Sequence, residues 1–77
     1  MSMMQPDWHS ADIIAALKKQ GTSLSAVSRK SGLASSTLAN ALIRHWPKGE
    51  RLIAEALGVA PEQIWPSRYR MPELRQR

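Results

Sequence analysis

The stretch Thr22-Ser-Leu-Ser-Ala-Val-Ser-Arg-Lys-Ser-Gly-Leu-Ala-Ser-Ser-Thr-Leu-Ala-Asn-Ala-Leu-Ile-Arg-His-Trp46 decides the fold. Thr22 and Ser23 are natural caps for a short helix, predicted over Leu24–Ser31 with Leu24, Val27 and small Ser28 inward. Gly32 stops it and supplies a positive φ without a Cβ penalty, so the chain can reverse tightly. A second helix is predicted over Ser35–Trp46, with Leu38, Ala41, Leu42 and Trp46 inward and Ser36, Ala39, Asn40 and Ile43 outward. Ser28 lets the two helices approach closely, while Val27, Leu33, Leu38 and Ala41 pin their angle from beneath. This is the helix-turn-helix plan, in which one helix crosses a DNA backbone and the next enters the major groove. The same turn also occurs in proteins that never touch nucleic acid, so the plan alone leaves function open.

The flanks supply the rest of a small all-α domain. Upstream, Ile13, Ile14 and Leu17 recur at helical spacing within Trp8–Gln20, with Asp7 as the expected cap, Lys18 and Lys19 in the last turn and Gly21 as the stop. Downstream, Pro47 presets a helix to Leu57, packed through Leu52, Ile53, Ala56 and Leu57, and Gly58 ends it. A last turn, Pro61–Trp65, closes before Pro66. Five short helices are therefore expected, and sustained strand alternation is missing. Trp8, Trp46 and Trp65 are read as core seals in preference to stacking platforms for a single strand. The expected organisation is a flexible stretch 1–6, a domain 7–69, and a basic, mobile tail 70–77, with Tyr69 folded back onto the body.

A chain of 77 residues has room for one small core, and without cysteine that core must supply nearly all the stability. The same lack of cysteine suits a reducing cytoplasm, and the absence of a basic and apolar leader pattern at Met1–Asp7 argues against export. The net charge of +5 is unevenly spread: residues 1–12 hold Asp7 and Asp12 without a base, 13–49 hold six bases without an acid, and 50–77 come to +1. An acid-free basic middle coincident with the two helices favours a polyanion-facing side over a merely solvated one.

On the outward face of the second helix, Asn40 carries an amide that matches the N6/N7 edge of adenine, and the alternative is a polar residue on a wet face. Ser35, Ser36 and Thr37 can donate to phosphates or base edges, or only cap the helix. Ala39 and Ile43 suit a thymine methyl, while Ile43 can equally shield the edge of the core. Arg44 and Lys48 are better placed for phosphates than for bases, with solvation as the plainer role. His9 with Asp12, and the distant His45, lack the partners of any hydrolytic, phosphate-cradling or metal motif, so neither catalysis, cofactor nor metal is expected.

The strings Asp7-Trp-His-Ser-Ala-Asp-Ile-Ile-Ala-Ala-Leu-Lys-Lys19, Ser36-Thr-Leu-Ala-Asn-Ala-Leu42, His45-Trp-Pro-Lys-Gly-Glu50 and Ile64-Trp-Pro-Ser-Arg-Tyr69 closely resemble the Ner family. Its members are the small DNA-binding repressors of Mu-like transposable phages and bacterial Ner-like regulators, also called sugar fermentation stimulation proteins. The resemblance spans about residues 7–69. It implies a five-helix fold akin to λ-repressor-type domains, with no separate ligand-binding or dimerisation domain, and transcriptional repression by occupying a double-stranded operator. It further implies that Ser35, Ser36, Ala39, Asn40 and Ile43 face bases; Ser23, Arg29, Thr37, Arg44 and Lys48 are assigned to the DNA backbone. Neither a small-molecule ligand nor a membrane partner is expected. In the absence of a heptad seam the protein is expected to be a monomer, with two copies on a two-part DNA site as the arrangement on DNA. The competing readings are a protein-interaction module on the same scaffold and a membrane-surface peptide built on the basic run Ile13–Lys19.

Overall fold

In the computed structural model, residues 7–69 are described; the expectations for 1–6 and for the tail 70–77 lie outside them. Six α-helices follow in order: α1 (Ser10–Lys19), α2 (Leu24–Lys30), α3 (Asn40–Ile43), α4 (Pro47–Leu57), α5 (Pro61–Ile64) and α6 (Pro66–Tyr69). A 3-10 turn at Thr37–Ala39 runs into α3. Among the described residues there is no strand.

The core is small and closed. Ile13 and Leu17 from α1, Val27 from α2, Leu38 from the 3-10 turn, Ala41 from α3, Ile53, Ala54 and Leu57 from α4, and Ile64 with Trp65 meet in one buried cluster. Helix α4 is its hub, touching α1, α2, α3 and α5. Its proline start and its left-handed Gly58 stop follow the sequence signals directly. Trp65 is buried, whereas Trp8 and Trp46 pack half-buried against the cluster. Ile14 departs from expectation: it is 43% exposed, because one helix face can turn only Ile13 and Leu17 fully into so narrow a core.

Three boundaries depart as well. Helix α1 begins at Ser10 behind His9, whose backbone N–H donates to Asp12 Oδ2 at 3.3 Å, so Asp12 serves the helix start. Asp7 instead caps a helix distant in sequence: its carboxylate accepts from Ser67 N at 3.0 Å and from Ser67 Oγ at 2.7 Å. That cap, with Pro66 fixing φ at the first position, makes residues 66–69 a sixth helix where five were expected. Nearby, Trp8 N donates to Ile64 O at 2.9 Å, so the incoming chain is tied to α5.

The third departure concerns the helix expected over Ser35–Trp46, of which only Thr37–Ala39 (as 3-10) and Asn40–Ile43 are helical. Its start is set by Ser28, whose hydroxyl donates to Ala34 O and accepts from Leu38 N. Its end is set by Pro47, since the residue before a proline is driven to extended backbone, and Trp46 adopts φ −141°, ψ 92°. Arg44 is already extended at φ −152°, ψ 162°, which leaves Ala41, Leu42 and Arg44 with carbonyls to satisfy outside the helix.

Candidate nucleic-acid interface

The turn between α2 and the 3-10 segment is built from backbone geometry that the sequence announces. Gly32 sits at φ +82°, Gly32 N donates to Arg29 O at 3.0 Å and Leu33 N to Ser28 O at 2.9 Å. Ser28 is fully buried and fixes both ends of the turn through the two bonds of its hydroxyl, a stronger constraint than close approach alone. Ser23 caps α2, its Oγ accepting from Ala26 N at 3.1 Å. That bond uses a lone pair and leaves the hydroxyl proton free.

The residues expected to meet DNA, Ser23 apart, occupy three kinds of place. Thr37, Asn40 and Arg44 line one hollow of about 350 Å³ together with His45 and Trp46. Ser35, Ser36, Ala39 and Ile43 are exposed around it without lining it, and Ile43 is 79% exposed. Lys48 is exposed in the first turn of α4, and Arg29 in the last turn of α2. Trp46 reaches the hollow because Gly49 leaves room for it: a Cβ at Gly49 would collide with the indole.

Behind this face lies a centre that local sequence rules do not reveal. The Glu50 side chain is fully buried, and its Oε2 accepts from Trp46 N at 2.8 Å, Arg68 Nη1 at 2.7 Å and His45 Nδ1 at 2.9 Å. Its Oε1 accepts from the Tyr69 hydroxyl at 2.6 Å. Burial pushes the carboxyl up, but the bonds from Tyr69, His45, the Trp46 backbone and Arg68 together outweigh it and hold Glu50 below the ordinary carboxylate value. Burial, followed by the bond to Glu50 and its charge, raises the Tyr69 phenol to about 12.

Arg68 carries the same centre forward to α3. Its Nη1 donates to Ala41 O at 2.6 Å and Arg44 O at 3.0 Å, and Nη2 to Leu42 O at 3.4 Å. These are the carbonyls orphaned where α3 breaks off, so the guanidinium closes the end of the helix that presents Asn40. The Trp65 ring centroid lies 5.1 Å beneath it. Among the described residues, no three His, Asp or Glu side chains gather into a metal-binding group.

A solved structure, the solution structure of the Mu Ner protein, is similar with TM-score 0.74 and 65% identity, covering 86% of this chain and 89% of that one. The chain is also 66% identical over 67 residues to the negative regulator of transcription of Escherichia phage Mu, covering 87% of this chain and 89% of that protein. The chain belongs to the Ner family. Another relative, sugar fermentation stimulation protein B of Escherichia coli K12, is 67% identical over 67 residues, or 87% of this chain and 73% of that protein. A family described as winged helix-turn-helix DNA-binding matches residues 7–77, which extends the likeness past Tyr69, where the sequence strings stopped. In this Ner-family chain no strand, and so no β-wing, stands among residues 7–69.

Proposed function

We propose that this protein is a transcriptional repressor that acts by binding double-stranded operator DNA, inserting the Ser35–His45 segment in the major groove. The observation that carries the proposal is the hollow of Thr37, Asn40 and Arg44 on the second arm of a helix-turn-helix whose surrounding sequence, residues 13–49, contains no acid. A polyanion meets no acid from that run, and Glu50 behind the hollow is buried and paired with Arg68. Ser35, Ser36, Ala39, Asn40 and Ile43 face bases, with the Asn40 amide as the group able to pair with an adenine edge. Ser23, Arg29, Thr37, Arg44 and Lys48 hold phosphates, and Ser23 does so with the hydroxyl proton its capping bond leaves free. The relatives' names, negative regulator of transcription in phage Mu among them, support repression as the outcome.

No reaction is performed on the DNA; occupancy of the site is the whole activity. The protein acts in the bacterial cytoplasm where its operator lies, as a monomer in solution with two copies on a two-part site. Footprinting on the DNA flanking its own gene tests this. A protected segment is expected, with a log–log salt slope of about −4 to −5 if roughly four to six phosphates are contacted. A flat salt slope with no protected segment overturns it.

A further inference from the structure

His45 was assigned no part in DNA binding, yet it stands in the hollow. Its side chain is 50% exposed, it lines the hollow beside Thr37, Asn40, Arg44 and Trp46, and its Nδ1 is 2.9 Å from Glu50 Oε2. An ionised carboxylate can only accept, so Nδ1 carries the proton of that bond. The ring nitrogen left for a ligand is Nε2. In the neutral ring Nε2 offers a lone pair, which repels a phosphate oxygen; only after taking a second proton does it become a cationic donor.

We propose that His45 is a further DNA-backbone contact that engages a phosphate as the imidazolium, held in place by Glu50, so that DNA binding takes up a proton. The inference rests on the DNA-binding reading above. The charges around the ring favour that coupling. Glu50 lies behind it, with Arg68 on the same carboxylate oxygen, and Tyr69 meets it edge-on at 5.7 Å with a neutral phenol. Arg44 shares the hollow, and Lys48 is exposed in the first turn of the helix that carries Glu50. An arriving phosphate beside Nε2 adds a negative charge that favours the protonated ring. Glu50 then acts as a positioning residue, fixing which nitrogen faces the strand.

The test is binding of the full chain to mixed-sequence duplex DNA at constant salt, titrated from about pH 8 to about pH 6, the window in which histidine ordinarily changes charge. Affinity is expected to rise as pH falls, towards the limit of about tenfold per pH unit for one linked proton. Calorimetry of the wild-type protein in buffers of different ionisation enthalpy is expected to show proton uptake. This readout is independent of how well any variant folds. His45→Gln is expected to flatten the pH dependence while His9→Gln retains it. Wild-type binding with no proton uptake, or an unchanged pH slope in His45→Gln, overturns the proposal. Failure of the wild-type chain to bind DNA at any pH overturns the DNA-binding reading itself, and this inference with it.

Discussion

The outward face of the helix-turn-helix and the Glu50 centre behind it are made of opposite materials. The face is short, exposed and loosely tied: Ser35, Ser36, Ala39 and Ile43 lie open to solvent. The centre is a fully buried carboxylate receiving four donors drawn from residues 45 to 69. Side chains that read DNA must be free of internal partners, so rigidity has to come from elsewhere. Arg68 delivers it, because one guanidinium both pairs with Glu50 and closes the α3 carbonyls.

The sharpest way to break this division is Glu50→Ala. Removing the carboxylate leaves the Tyr69 hydroxyl and Trp46 N without their acceptor and Arg68 without its counter-ion, and a loss of about 3–5 kcal/mol is expected in urea unfolding. Glu50→Gln, which keeps an acceptor of the same shape, is expected to lose less. If Glu50→Ala leaves the unfolding midpoint unmoved, the centre does not support the face. A second cut, Ser28→Ala, orphans Leu38 N in the buried turn and is expected to cost about 1–3 kcal/mol in the same measurement.

The face is expected to answer in the opposite currency. Asn40→Ala should cost about 1–3 kcal/mol of discrimination at one base position without shifting the unfolding midpoint. Lys48→Ala should weaken binding to all sequences alike and reduce the salt slope by about 0.9. Equal losses for Asn40→Ala on operator and scrambled DNA would remove Asn40 from base reading.

The smallest effect concerns pH. The Tyr69 phenol is raised from 10.0 to about 12 in the fold, so its neutral form is favoured there. Its contribution to stability is complete below about pH 10 and is lost as pH rises towards about 12. Glu50 is lowered from 4.5, so its contribution is present above that value and disappears as pH falls through the folded-state value. Tyr69→Phe is expected to remove the alkaline component of the stability curve and to shrink the acid limb, because the Tyr69 bond is foremost among those holding Glu50 down; thermal unfolding against pH follows both.

Much of the fold is legible in order. Helices α2 and α4 follow from a serine cap, a proline start and glycine stops, all signals acting within a few residues. The turn at Gly32 and the inward set Val27, Ser28, Leu38 and Ala41 are equally readable. The candidate face is legible as well, since the acid-free run and Asn40 stand in plain sight, but its true shape is not. A helix expected from Ser35 to Trp46 is a 3-10 turn and one short α-helix, because Ser28 holds its start and Pro47 forbids its continuation. Trp46 and His45 join the hollow only through that break.

By itself the sequence determined an all-α chain, the order of its principal helices, the glycine turn and the place of the basic middle, because each depends on neighbours in the chain. The tertiary structure alone decided that Asp7 caps a helix 60 residues away. It also decided that Glu50 anchors Tyr69 across 19 residues and Arg68 across 18. A carboxylate in the first turn of a helix ordinarily reads as a partner for the helix dipole. Only folding shows that water has been excluded from it, and exclusion of water is what turns Glu50 from a surface charge into the point on which the helix presenting Asn40 is fixed.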